Sequence, residues 1–498
     1  MKSRQTVVAP VRPSAQPLGR WLIIALYTLG FFGVLPSALV RLGQRVDREL
    51  GWPELPPLRG PFGAALSLAG SALLLRAAWE LWQRGQGLPI SHLPPQNLVA
   101  SGPFRRLRHP IYVGYSLALA GVGLLASSLG IACVATGLLV VAWTGYARCI
   151  EEPQLLRRFG ADYRRYAQST VLLPIPARLS ASGGQVLAAV WRGLRPPVAW
   201  LARQTVLFRI GSTLWVGYGA LLAVGAGVGS LLAIGLLSRS LSPRALVEYL
   251  LGLSLAMLVG GRLAWLGYEQ RAFRQRPRET LKRVGFVSFG AYAAMFGYVA
   301  VWSRLHASQL NAGWLLDRTM AAALVCSGFG RLGCLTYGCC YGRVWQHGIC
   351  YVGAEAKVIR ELGSAGTEPR VPTQLLSAAL AFGTALGMLA SLGAGGSPGF
   401  ASALGALCYA LGRFHLEDLR EELRLVSGRL TRGQLLSMVI AGLALAWLAV
   451  SPSVHAAVAR PALGFEWAEL GRHAALPLVA AIPVFLVCGY HRRSVGSW

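Results

Sequence analysis

Two charged pairs, Arg108-His109 and Glu151-Glu152, flank an apolar stretch long enough to cross a bilayer and return. A hairpin of that kind brings its two ends back to the same membrane face, so one site can be built from two distant segments. Paired carboxylates at a helix end hold an ammonium or ribose hydroxyls. His109 hydrogen-bonds a polar ligand, Tyr112 follows it in the run HPIYVGY, and Gly114 lets a ligand approach the backbone. A second set of polar residues lies further along: Arg262 in VGGRLAWLGY, Arg331 in GFGRLGC, Gln374 in RVPTQLL, and Arg413 with Glu417 in ALGRFHLEDLREE. Ionisable side chains at membrane depth are costly and by default functional. Arg413 and Glu417 are one helical turn apart, so they share a face and can pair. Arginines in a membrane cavity suit a phosphate, because the planar guanidinium donates two parallel hydrogen bonds. A phospholipid headgroup is the obvious candidate.

The segment GRLGCLTYGCCYGR, Gly330–Arg343, adds sulfur to that chemistry. Cys334, Cys339 and Cys340 fall within it, and His347 and Cys350 follow. Four readings stay open: a zinc or other thiolate site, a disulfide or redox pair, a thiol activated by Arg331, and small polarizable side chains between close helices. Adjacent cysteines are not a standard zinc spacing, and no metal is expected. His347 and His415 are candidate bases.

The elements that must position these residues are membrane helices. The chain has 498 residues, 54% of them hydrophobic and only 14% charged. That composition predicts an all-α polytopic integral membrane protein. The net charge of +28 comes from arginines clustered between apolar runs, not interleaved with aromatics. Cationic loops on an anionic cytoplasmic leaflet explain it, and no nucleic acid partner is expected. Apolar runs near 21–40, 61–82, 111–130 and 131–147 make a first module of four spans, and about seven to eight more between 210 and 489 make a second. The expected division is a module over 1–176, a basic Pro-containing linker over 177–204 and a module over 205–498. Lys2, Arg4, Arg12 and Arg20 put the N-terminus inside, and Arg105, Arg106, Arg157 and Arg158 agree with that orientation.

From about Asn97 to Pro176 the chain resembles the isoprenylcysteine carboxyl methyltransferase and phospholipid methyltransferase superfamily. The resemblance is carried by Arg108, His109, Pro110, Tyr112 and Gly114, by the pair Glu151/Glu152, and by Phe159, Gly160, Tyr163 and Tyr166. Either charged pair alone reads equally well as a membrane anchor or a solvated helix end; several motifs in the right order favour the family. The resemblance implies S-adenosylmethionine held by Arg108, His109, Tyr112, Gly114 and the two glutamates. Phe104 stands where the family usually has tyrosine.

From about Phe208 to Trp447 the chain resembles the prolipoprotein diacylglyceryl transferases, through GGRLAW, VSFGAY, GRLGCLTYGCCYGR, VPTQLLS, RFHLE and GQLLS in succession. This implies that Arg331, Arg413 and Glu417 carry catalysis, that Arg262, Arg331, Gln374 and Arg413 bind phosphatidylglycerol, and that the acceptor is the thiol of a prolipoprotein or other lipid-anchored protein. It also implies a bacterial plasma (inner) membrane. The departures fall on acceptor-handling groups: Gly290 replaces a histidine, Cys334, Tyr337 and Cys339 replace two asparagines and a glutamate, and Val371 and Ser377 replace a histidine and a glutamate. The basic loop Arg271–Arg283 reads as cytoplasmic, whereas the family places it outside. The expected function is methyl transfer by the first module and diacylglyceryl transfer by the second. The alternative is an active methyltransferase whose second module is a non-catalytic phospholipid-binding scaffold. A transporter is a weaker fit, because no internal inverted repeat is evident.

Overall fold

A computed structural model describes residues 25–26, 28–55, 60–86, 95–172, 177–283, 285–306, 311–421, 430–451, 471, 473 and 475–496. The chain is an all-α polytopic integral membrane protein. Seven helices among the described residues are long and apolar enough to span: Gly60–Gly85, Gly130–Ser169, Gly217–Leu237, Pro243–Tyr268, Ala312–Tyr337, Thr373–Gly393 and Arg432–Val450. Pro110–Leu125 and Ala475–Gly489 are apolar but shorter. Two expected spans, near 285–303 and 398–414, form the helices Ser288–Leu305 and Phe400–Glu417, which fall short of that standard. The second carries Arg413, His415 and Glu417 in its last turns, so its chemistry displaces part of its apolar length. The expected first span begins outside the described residues. Its continuation, helix Leu35–Leu50, is amphipathic and carries Arg41, Arg45, Asp47, Arg48 and Glu49. The segment expected as a linker is the helix Ala177–Ala202, with Pro196 and Pro197 inside it.

The residues divide into two compact units, one made of Met1–Asp47, Pro53–Val140 and Pro153–Pro174, the other of Arg48–Trp52, Val141–Glu152 and Ile175–Trp498. In the first, helix Gly60–Glu80 packs antiparallel against Pro110–Leu125 through facing glycines. A Cβ at Gly70 would lie 2.4 Å from the Ala118 nitrogen, one at Gly114 would lie 2.7 Å from the Gly70 oxygen, and one at Gly121 would lie 2.4 Å from the Ser67 nitrogen. Lipid tails are as apolar as leucine, so such helices associate by backbone proximity. Gly114→Leu is therefore expected to prevent stable folding of this unit, read as loss of a monodisperse detergent-solubilised protein, whereas an exposed change such as Leu68→Ala is tolerated.

In the second unit, a short antiparallel sheet joins two strands ahead of the apolar helices to one at the end of the last helix. Val206–Ile210 pairs with Thr213–Val216, which pairs with Tyr490–Arg492 in the register Leu214↔His491. The all-helical reading did not include it; the turn at Gly211, with φ +58°, closes the first hairpin. Helix Ala312–Tyr337, the Arg331 helix, lies at the centre: 61% of its most apolar window is buried, against 17–39% for the other spans. Its Asp317, almost fully buried, accepts hydrogen bonds from Gly399 N at 2.8 Å and Ser402 N at 2.7 Å. Those donors belong to the first turn of Phe400–Glu417, the Arg413 helix, so a side chain from one helix caps the other.

Candidate functional site

At the end of helix Phe400–Glu417, arginines gather beside one carboxylate. Arg413 Nη2 lies 2.5 Å from Glu417 Oε2, both side chains buried, and Arg420 Nη1 donates to both Glu417 oxygens at 3.1 and 3.3 Å. Arg331, on the neighbouring helix, repels Arg413 electrostatically. Two guanidiniums thus share one carboxylate, a third lies close enough to Arg413 to repel it, and the surplus positive charge suits an anionic group. Arg420 was missed by sequence reasoning, although its position one turn beyond Glu417 puts it on the same face. The glycine of GQLLS explains how tightly this is built: a Cβ at Gly433 would fall 3.0 Å from the Glu417 carboxylate. The glutamine of the same motif closes a capping box with Thr431 and donates to Asp418 Oδ1 at 2.7 Å.

The cysteine loop lies beside this cluster. Gly338, with φ +70°, ends the Arg331 helix in the left-handed conformation, and Cys340 follows with φ +56°. A non-glycine residue there costs on the order of 1 kcal/mol and persists only where its surroundings impose it. Here Thr373 Oγ1 donates to the Cys340 carbonyl at 2.6 Å and Gln374 Nε2 donates to the Cys339 carbonyl at 2.7 Å. The result brings the sulfurs of Cys334, Cys339 and Cys340 within 4.8 Å of one another, with Arg331 Nη1 3.9 Å from Cys340 Sγ. Hydrogen bonds from Cys334 and Cys339, then the charges of Arg420 and Arg331, hold the Cys340 thiol well below its ordinary range. Its neighbours Cys334 and Cys340 push Cys339 the other way. All nine cysteines are free thiols, and His347 and Cys350 lie outside the three-sulfur group. The loop then docks on the end of the Arg413 helix: Arg343 N donates to Leu419 O at 3.0 Å. Arg370, unanticipated and fully buried, pairs with Glu421, donates to Gly342 O at 3.2 Å and lies over Tyr341.

Two residues expected to touch substrate are engaged elsewhere in the fold. Arg262 donates to the carbonyls of Arg283, Gly285 and Leu281 at 2.8, 3.1 and 2.9 Å, and lies over Trp265. It pins the end of the basic segment 271–283 and Gly285 just beyond it. Gln374, besides holding Cys339, donates to Tyr351 OH at 2.9 Å. Of the candidate bases, His415 Nε2 lies 2.8 Å from the Val141 carbonyl, and His347 is exposed on strand Val344–Ile349.

In the first unit, Arg108 Nη2 donates to Ala167 O at 2.6 Å and Thr170 O at 3.2 Å, a cation capping the carbonyl end of Glu152–Ser169. Tyr166 OH donates to Phe104 O at 3.0 Å, so the Phe104 loop is held through its backbone and its lost hydroxyl is not needed there. His109 is buried at the start of Pro110–Leu125 and stacks on Tyr112, centroids 5.3 Å apart and 14° between planes. Gly114 faces the Gly70 backbone, which alone accounts for a glycine. Glu151 and Glu152 belong to the second unit, where Glu151 ends the turn Ala147–Glu151 and Glu152 opens the following helix, both half-buried. Gly160 breaks that helix with φ +55°, a conformation that favours glycine.

The prolipoprotein diacylglyceryl transferase family matches residues 205–450, and the phospholipid methyltransferase family matches residues 58–162. This chain joins a phospholipid methyltransferase-like module to a prolipoprotein diacylglyceryl transferase-like module. Both families are transferases, and the chain is a membrane transferase. Among curated proteins, it is 29% identical over 185 residues to phosphatidylglycerol–prolipoprotein diacylglyceryl transferase 2 of Clostridium perfringens (strain 13 / Type A), covering 37% of this chain and 70% of that protein. It is also 29% identical over 147 residues to phosphatidylglycerol–prolipoprotein diacylglyceryl transferase of Clostridium tetani (strain Massachusetts / E88), covering 28% and 56%. In the diacylglyceryl transferase-like module, the absent histidine has a steric explanation. A Cβ at Gly290 would lie 2.3 Å from Gly260 O and from Ala264 Cβ, so two helices meet where that side chain would project. Ser377, in place of the family's glutamate, is buried and donates to Thr373 O at 2.7 Å. The module also carries an apolar, half-open pocket lined by Leu222, Met257, Thr319, Ala322, Cys326 and Val484. Cys326 and Arg331 lie on the same helix, so apolar space and positive charge occur along one element.

Proposed function

We propose that the second module transfers a diacylglyceryl group from phosphatidylglycerol to a cysteine thiol in a bacterial plasma membrane. The observation that carries this reading is surplus positive charge: Arg413 and Arg420 share the single carboxylate of Glu417, and Arg331 adds its charge beside Arg413. The phosphodiester accepts hydrogen bonds from Arg331 and Arg413, with Glu417 fixing the Arg413 fork. The acceptor thiol gives up its proton to solvent and its sulfur attacks the glyceryl carbon, the carbon–oxygen bond to phosphate breaks, and glycerol phosphate departs with that bond's electron pair. Because the phosphate gains charge as it leaves, the arginines stabilise the transition state more than the bound lipid. The apolar pocket suits an acyl chain. The names of the relatives supply the donor and acceptor classes.

The first module is an S-adenosylmethionine-dependent methyltransferase in this reading. The flat, buried His109–Tyr112 pair fits a cofactor with an aromatic base and a cationic sulfur, since aromatic faces attract cations. His109 and Tyr112 would hold it, and Arg108 and Gly114 would set the loop and helix on which they stand. The cofactor supplies an electrophilic methyl group when bound. This chain's residues contribute alignment, and methyl transfer needs no covalent enzyme intermediate.

The scaffold reading is favoured by Gly290, where no histidine fits. Purified protein with phosphatidylglycerol, a lipobox peptide and labelled S-adenosylmethionine separates the two by mass spectrometry. Thioether product and glycerol phosphate release are expected, both lost in Arg331→Ala; methylation without either product would leave only the scaffold. Labelled cofactor is expected to bind the protein and to bind His109→Ala at least about tenfold more weakly, the loss of one hydrogen bond and of the stacked ring. Equal binding would overturn the cofactor assignment.

A further inference from the structure

The diacylglyceryl-transfer reading leaves an unanswered requirement, because Gly290 stands where a histidine would help deprotonate the acceptor thiol. The geometry points to a thiolate zinc site at Cys334, Cys339 and Cys340 whose fourth position binds and activates the acceptor sulfur. This deepens that reading and rests on it.

Adjacent cysteines ordinarily diverge, which is why their spacing argues against a metal. Here the chain curls through two successive departures from helical geometry, Gly338 at φ +70° and Cys340 at φ +56°, and the three sulfurs converge to within 4.8 Å. Tetrahedral sulfur ligands about 2.3 Å from zinc lie roughly 3.8 Å from one another, so closing this set onto an ion takes shifts of about an ångström. The loop is preorganised for it. Thr373 and Gln374 hold the carbonyls of Cys340 and Cys339, and Cys339 N donates to Cys334 O at 3.2 Å. Three thiolates and a dication carry one net negative charge, and Arg331, 3.9 Å from Cys340 Sγ, balances it. Three protein ligands with one open position is the arrangement of a zinc that works on a substrate.

A thiol entering that position loses its proton to solvent and stays nucleophilic as a zinc-bound thiolate at neutral pH. Its sulfur then forms the bond to the glyceryl carbon while glycerol phosphate leaves toward Arg331. The thioether product is neutral and a weaker ligand, so it is released. Arg331 touches both halves of the reaction, which places donor phosphate and acceptor sulfur at one point.

The test uses the full-length protein in detergent, dialysed against Zn(II) alone and then against metal-free buffer. About one zinc per chain is expected to remain. Cys334→Ser and Cys340→Ser are expected to lose it, and Cys350→Ser to keep it. Co(II) in its place is expected to give a near-ultraviolet sulfur-to-cobalt charge-transfer band. No retained metal, or metal retained equally by the triple Cys334→Ser/Cys339→Ser/Cys340→Ser variant, would overturn the site. Zinc removal is expected to lower thioether formation at least about tenfold and to leave phosphatidylglycerol binding unchanged; full transfer without metal would overturn its role in activating the thiol. Loss of phosphatidylglycerol binding in Arg331→Ala is read separately, so failure of the metal leaves the lipid reading intact.

Discussion

Arg413→Ala is expected to abolish diacylglyceryl transfer and to destabilise the second unit. Removing a transition-state donor from a preorganised anion site costs about a hundredfold to a thousandfold in rate. Glu417 is only 5% exposed, so truncating its partner leaves a buried carboxylate served by Arg420 alone. Breaking such a pair costs about 3–5 kcal/mol where no other cation remains, and Arg420 reduces that figure here. Arg413→Lys separates the two effects. It keeps the charge beside Glu417 but loses the fork that bridges carboxylate and phosphate, so unfolding temperature should stay near that of the unaltered protein while transfer falls at least about tenfold. Thermal unfolding in detergent and glycerol phosphate release measure the two quantities. Transfer by Arg413→Ala at the unaltered rate would remove this arginine from the mechanism.

Asp317→Ala should destabilise the protein without touching any reacting group. The carboxylate serves two backbone donors, Gly399 N and Ser402 N, where the Arg413 helix begins. Each buried donor left without a partner costs about 1–3 kcal/mol, so a loss of roughly 2–5 kcal/mol is expected. Asp317→Asn keeps one acceptor oxygen and should lose about half as much. The functional consequence follows from position: Asp317 and Arg331 lie on one helix, and the residues it caps begin the helix that ends at Arg413 and Glu417. Transfer should therefore weaken as the two helices lose register, with both variants retaining the Arg413–Glu417 pair. An unchanged unfolding temperature for Asp317→Ala would show that the helix start is satisfied by other means.

Sequence alone determined the membrane class, the two-module organisation suggested by the motif sets, and the pairing of Arg413 with Glu417. Each depends on composition, motif order or one turn of helix, which are local properties. Apolar length was less decisive for the spans: the helices ending at Leu305 and Glu417 have charged ends that an apolar-run count does not weigh. The short sheet rested on a two-residue turn between strands, a signal easily lost among long apolar runs.

Tertiary structure decided the rest. Whether an arginine at membrane depth faces an anion or a carbonyl depends on the loop folded over it, and Arg262 faces the carbonyls of Leu281, Arg283 and Gly285. Whether glycine marks a ligand or another helix depends on what approaches its α-carbon, and Gly114 meets Gly70. The cysteines show the difference most sharply. Their sequence spacing predicts divergent side chains, while two left-handed residues and the clamps from Thr373 and Gln374 bring their sulfurs together. Local pattern records which groups are present; their convergence is set by backbone turns and contacts between residues far apart in the chain.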